Sequence, residues 1–114
     1  MSTIQASGVQ RIADAFAHSG KRAALMPYLM GGFPTLEESV RIGRSCIAAG
    51  ADLLELGVPY ADPLADGPTI HEAGTRALAA GASLGGVLEV ARELGEAVPV
   101  VLMCYANMVL APGA

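Results

Sequence analysis

Ala51-Asp-Leu-Leu-Glu-Leu-Gly-Val-Pro-Tyr-Ala-Asp-Pro-Leu-Ala-Asp-Gly-Pro-Thr-Ile70 is the stretch whose reading decides the fold. It begins as an apolar run, Leu53, Leu54, Leu56 and Val58, broken by one acid, Glu55. It then passes into a segment rich in proline, glycine and aspartate. A strand running into an acidic loop is the natural reading. Apolar residues at consecutive positions, rather than at every second one, imply a strand covered on both faces, as in a parallel sheet flanked by helices. In such a wall an unpartnered carboxylate costs several kcal/mol or more, so Glu55 is expected to be paired, protonated or beside a ligand cavity.

Working outward, Thr35 and Glu38 have the spacing of a capping box. Val40, Ile42, Gly43, Cys46 and Ile47 make the apolar side of a helix over 36–49 that Gly50 stops. Before it, Ala23 to Met30 is too short and too Pro-broken for a helix and reads as a first strand ending in Gly31-Gly32. At the start of the chain Ile4, Val9, Ile12, Ala13 and Phe16 form a helical stripe over 3–18, with Gly20 as its stop. After the acidic loop, Pro68 opens a helix that runs to Gly81, Ser83 caps another, and Pro99 to Cys104 is a third buried strand. Residues 105–114 read as a trailing segment. This order of elements indicates βαβ units with right-handed crossovers and a parallel sheet. Neither edge of a three-stranded sheet carries the charges, prolines or bulges that shield an edge. The 114 residues are therefore expected to be one partial domain, the first part of a longer barrel or sheet that stops after its third strand.

Composition narrows the function classes. A net charge of −4, with seven scattered cations, gives no basic footprint for nucleic acid or an anionic membrane. Apolar windows of about ten residues are half the length of a membrane span, and no cleavable leader pattern opens the chain, so a cytoplasmic protein is expected. Cys46 and Cys104 have no metal-ligand spacing and read as buried apolar residues.

Parallel α/β folds bind ligands at the C-terminal ends of their strands. Here those ends carry Tyr28 with Gly31-Gly32, Glu55 with the loop over 57–70, and Cys104-Tyr105 with Asn107. Glu55, held in a strand against apolar neighbours, suits general-acid work, and a more solvated Asp66 suits the part of base or hydrogen-bond acceptor. Asp62 before Pro63 and Asp66 before Gly67 fit ordinary turn residues as well. Gly31-Gly32 lacks the spacing of a phosphate cradle and reads as a tight turn. His18 and His71 fall at helix ends, and Tyr28 and Tyr105 suit a pocket wall or the rim of the core.

The segment Leu54 to Ile70 closely resembles the signature of the tryptophan synthase alpha chain family. Pro27-Tyr-Leu-Met-Gly-Gly-Phe-Pro34, Ala48-Ala-Gly-Ala-Asp-Leu-Leu54, Arg76-Ala-Leu-Ala-Ala-Gly81 and Leu102-Met-Cys-Tyr-Ala-Asn-Met-Val109 are similar to the same family. The resemblance implies the N-terminal portion of a TIM (β/α)8 barrel and a cofactor-free lyase of tryptophan biosynthesis. That lyase cleaves indole-3-glycerol phosphate to indole and glyceraldehyde 3-phosphate by a retro-aldol step. It further implies that Glu55 protonates the indole ring, that Asp66 accepts the indole N–H, and that Tyr28 and Tyr105 line the substrate pocket. The family partner is a pyridoxal-phosphate-dependent beta chain in an alpha2-beta2 heterotetramer, and the loop from Pro59 to Pro68 resembles the segment that contacts it.

The resemblance places the mobile lid and the phosphate-binding loops in barrel units that residues 1–114 do not contain, so little or no turnover is expected of these residues alone. Two other readings stand beside it. Another cofactor-free barrel acting on a phosphorylated sugar would leave Asp66 without a duty, and a Schiff-base aldolase would want a strand-end lysine, whereas the only lysine is Lys21. A non-catalytic module that docks on a beta chain is the alternative from a different class.

Overall fold

The computed structural model describes residues 7–110. Its elements in order are α1 (Gly8–Ala17), β1 (Tyr28–Met30), α2 (Leu36–Ala48), β2 (Leu54–Gly57), α3 (Pro68–Ala79), α4 (Leu84–Gly95), β3 (Val100–Met103) and α5 (Ala106–Leu110). The strands form one parallel sheet with β2 in the middle. In register, Tyr28 lies beside Glu55 and Glu55 beside Val101.

The helix starts are set by side-chain oxygens that accept otherwise unpartnered amides: Ser7 from Gln10 N, Thr35 from Glu38 N, and Ser83 from Gly86 N, each at 3.1 Å. Pro68 opens α3 without such a cap. The first helix ends at Ala17, one residue before the expected end at 18, and residues 3–6 of that expectation lie outside the described part. Gly20 takes a positive φ of 72° in the turn that follows.

The first strand is shorter than residues 23–30. Leu25 donates its amide to the Asp52 carboxylate and Pro27 has no amide to give. Their carbonyls nonetheless accept from Asp52 N and Glu55 N, both at 2.9 Å, so the chain already runs beside β2 before the sheet ladder proper begins. The segment after β3 does not trail away as expected. It folds into α5, begun by Met108 N donating to Tyr105 O at 3.0 Å.

Leu54, Leu56 and Val58 pack with Val40, Val87, Val90 and Leu94 of helices α2 and α4. That layer is the core, and it lies on one face of the sheet. Leu53, Leu54, Leu56 and Val58 are all buried, but side chains alternate along a strand, and Glu55, between two fully buried leucines, is only half-buried on the face away from that core. Gly31-Gly32 is the expected tight turn. Gly32 has φ 87°, and a Cβ on Gly31 would meet Val87 and the Gly57 carbonyl.

Both outer strands pair on one side only, and Leu25, Met26, Leu102 and Met103 stand exposed along them. A polypeptide of residues 1–114 alone is therefore expected to self-associate, since open apolar edges template further pairing. Sedimentation velocity together with a thermal melt checks this, and a monomer with a sharp cooperative transition would contradict it.

At the N-terminal ends of the strands Asp52 accepts from Leu25 N at 2.8 Å and from Lys21 Nζ at 2.9 Å. The Leu25 amide first, and Lys21 second, hold its carboxyl below the ordinary aspartate range. A carboxyl depressed on folding contributes stability above its unfolded pKa, and that contribution is lost as pH falls through the folded value. Replacing Asp52 by Asn is accordingly expected to lower the urea midpoint of a full-length chain at neutral pH. It is also expected to flatten the decline seen between about pH 5 and pH 2. Identical midpoint-against-pH curves for the two proteins would show that Asp52 contributes nothing.

Candidate active site

Parallel strands deliver their C-terminal ends to one side of the sheet, and a cavity of about 200 Å³ opens there. Tyr28 and Met30 of β1, Val58 and Asp66 of the loop after β2, and Met103 and Tyr105 of β3 and its continuation line it. Three of the four residues singled out from the sequence thus share one cavity. Glu55 is not in its lining. It reaches the same place through its register beside Tyr28, two pairs deeper in the sheet than the last pair at the mouth.

The electrostatics agree that the groups converge. Burial, then the nearby carboxylate of Asp66, then that of Glu55 push the Tyr28 phenol above the ordinary tyrosine range. Tyr28 therefore stays a neutral hydroxyl, able to donate a hydrogen bond across ordinary pH. Its position depends on Gly57, where any Cβ would collide with the Tyr28 hydroxyl and ring carbons. The glycine two places after Glu55 is what lets the tyrosine ring approach the strand this closely.

Asp66 is half-buried, and the segment that carries it is anchored from the far side of the site. Val58 N donates to Met103 O at 2.9 Å, which carries the sheet ladder one residue into the loop. Further on, Ala65 N donates to the Tyr105 hydroxyl at 2.9 Å, and Asn107 Nδ2 donates to the Tyr60 hydroxyl at 2.6 Å. The Tyr60 and Tyr105 rings meet with centroids 5.1 Å apart at 34°. Tyr60, although it lies within the decisive stretch, carried no sequence signal for this role. Its partners lie more than forty positions away, beyond the reach of any periodicity.

Cys104 also borders the cavity and is exposed, whereas Cys46 is half-buried, so the expectation of two buried apolar cysteines holds for neither fully. Exposed His18 and His71 stand at helix ends as expected. Among the described residues no group of three or more His, Cys, Asp or Glu side chains is placed to hold a metal ion. Two wider clefts, about 840 and 410 Å³, border Arg11. One is walled by Leu88 and Leu102 between α4 and β3, the other by Asp14, His18 and Asp52 near the N-terminal strand ends. Neither gathers groups at the strand ends where parallel α/β folds place their chemistry.

A parallel sheet packed against helices, with an acid-bearing cavity at its strand ends, defines the class: the start of a barrel built from βα units. The family model described as tryptophan synthase alpha chain matches residues 15–114. The tryptophan synthase alpha chain of Acidovorax sp. (strain JS42) is 48% identical over 106 residues, which cover 89% of this chain and 39% of that one. That of Methanopyrus kandleri is 52% identical over 92 residues, 81% of this chain and 34% of that one. Among solved structures, tryptophan synthase from M. tuberculosis in its open form superposes with a TM-score of 0.81 at 37% identity, covering 95% of this chain and 43% of that one. The a2b2 complex from Pyrococcus furiosus superposes with a TM-score of 0.71 at 35% identity, covering 79% and 37%.

This chain belongs to the tryptophan synthase alpha chain family. Its fold is the N-terminal portion of that family's TIM (β/α)8 barrel. It spans about 40% of the length of the curated relatives it matches.

Proposed function

We propose that residues 1–114 supply the acid-base half of a lyase site that cleaves indole-3-glycerol phosphate to indole and glyceraldehyde 3-phosphate. The observation that carries this reading is the gathering of Tyr28, Asp66 and Tyr105 around one cavity, with Glu55 in register beside Tyr28.

Cleaving the carbon–carbon bond needs three things. The ring carbon bearing the glycerol chain takes a proton, the adjacent glycerol hydroxyl loses one, and the ring nitrogen must tolerate the positive charge that appears meanwhile. In the proposed assignment Glu55 gives the ring proton. The Glu55 carboxylate left behind takes the proton of the glycerol hydroxyl, the oxygen closes to an aldehyde, and the electron pair of the broken bond restores the indole. Asp66 accepts the indole N–H and stabilises the transient cation. Tyr28 and Tyr105 bound the ring. General acid–base and electrostatic contributions of this kind are each worth roughly 3–5 kcal/mol. The assignment asks for no cofactor and no metal.

The loop that carries Asp66 also presents Leu64, 85% exposed, at its tip. We assign that face to contact with a beta chain in an alpha2-beta2 assembly, which the complex form of the Pyrococcus furiosus relative supports. No helix among the described residues is long and apolar enough to cross a membrane, and a cytoplasmic place goes with this reading.

The test is release of indole from indole-3-glycerol phosphate by a full-length alpha chain that carries these 114 residues, with and without beta chain. Indole release supports the reading, and its absence in both conditions overturns it. Beta chain retained by an inactive Glu55→Gln protein would show that docking is separable from chemistry.

A further inference from the structure

We propose that Tyr60, Tyr105 and Asn107 form a clasp that sets the position of the Asp66 carboxylate. This inference rests on the assignment of Asp66 to the reaction and adds three positioning residues to it.

The segment 59–66 leaves the sheet after Val58 and must return Asp66 to the cavity mouth. It does so with three prolines in and around it, but proline fixes φ only at its own position and leaves the loop free to swing about its ends. Both ends are tied to the same short piece of chain. Near the start, the Tyr60 hydroxyl accepts from Asn107 Nδ2 at 2.6 Å. Near the end, the Tyr105 hydroxyl accepts from Ala65 N, the amide immediately before Asp66, at 2.9 Å. Between the two bonds the tyrosine rings pack at 5.1 Å. Tyr105 stands two residues after the end of β3 and Asn107 lies in the first turn of α5, so the anchor continues from the sheet.

Asp66 is thereby referred to β3, although Glu55 is carried by β2. Adjacent hydrogen-bonded strands hold a fixed spacing, so the clasp converts sheet geometry into a fixed offset between the two carboxylates. Tyr105, whose hydroxyl oxygen accepts from Ala65, also borders the cavity. Loss of the clasp is not expected to unfold the chain, because Asn107 is exposed and no core residue belongs to it.

The experiment uses a full-length alpha chain that carries these residues, in wild-type form and as Tyr60→Phe, Asn107→Ala, the double variant and Tyr105→Phe. Two readouts are taken: kcat and KM for indole-3-glycerol phosphate, and amide hydrogen exchange at Ala65. Misplacing a catalytic group by about 1 Å can cost up to a hundredfold, and a partly released loop is expected to cost less, about 5- to 20-fold in kcat with a smaller change in KM. The double variant is expected to match the worse single variant, because both substitutions break one bond. Exchange at Ala65 is expected to quicken about fivefold or more in Tyr105→Phe and in Asn107→Ala.

Unchanged exchange at Ala65 would overturn the clasp. Faster exchange with unchanged kcat would overturn its positioning role, as would single-variant losses that multiply in the double variant. A wild-type protein that releases no indole would instead overturn the proposed function, and the exchange data would still decide whether the clasp exists.

Discussion

Glu55→Gln in a full-length alpha chain is expected to lower indole formation by about two to three orders of magnitude while the substrate still binds. The glutamine keeps the size and shape of the side chain and removes only its capacity to give and take a proton. Glu55 is half-buried on the sheet face away from the core, beside Tyr28 and Val101, so the change leaves the packing of Leu54 and Leu56 against α2 and α4 intact. A fall in kcat with little change in KM, at an unchanged urea midpoint, is the expected pattern. Turnover close to that of the wild-type protein would remove Glu55 from the mechanism.

Asp66→Asn is the second large effect, and it decides between two meanings of one residue. An aspartate before glycine suits a turn for backbone reasons alone, and asparagine serves such a turn equally well. If shaping the turn were its whole purpose, activity would survive the change. Placed in the cavity wall, with a carboxylate that raises the Tyr28 pKa, Asp66 is instead suited to face a ring nitrogen as it becomes cationic. Removing the anion where positive charge develops is then expected to lower kcat by about two orders of magnitude or more, with folding stability barely moved. Steady-state rates and urea melts of the two proteins are the measurement. Wild-type cleavage by the Asp66→Asn protein would return the residue to the turn.

How much of this was legible in the sequence follows from the range of the forces involved. Thr35, Ser83 and Pro68 mark helix starts because capping is settled within four residues of chain, and all three mark them in the structure. The apolar run overstates the first strand because it does not tell where the amide of Leu25 will find its acceptor, and Asp52 is distant in the chain. Glu55 was recognised as unusual for the right reason, its leucine neighbours, but those leucines point to the opposite face. Its wall is a sheet face bearing Tyr28 and Val101 rather than a dry apolar shell. Helix α5 and the clasp are not legible in the sequence, because Tyr60 and Asn107 acquire meaning only when β2 and β3 lie side by side.

The middle position of β2 also has a consequence for how such a chain is made. Leu54 to Gly57 has β1 on one side, already synthesised, and β3 on the other, still to come. At roughly 5–20 residues per second a ribosome delivers β3 a few seconds after β2. Throughout that interval the strand bearing Glu55 has one open flank, and the loop bearing Asp66 lacks its anchor. A nascent chain paused between Gly57 and Val100 is thus the form in which a chaperone would find the most to shield.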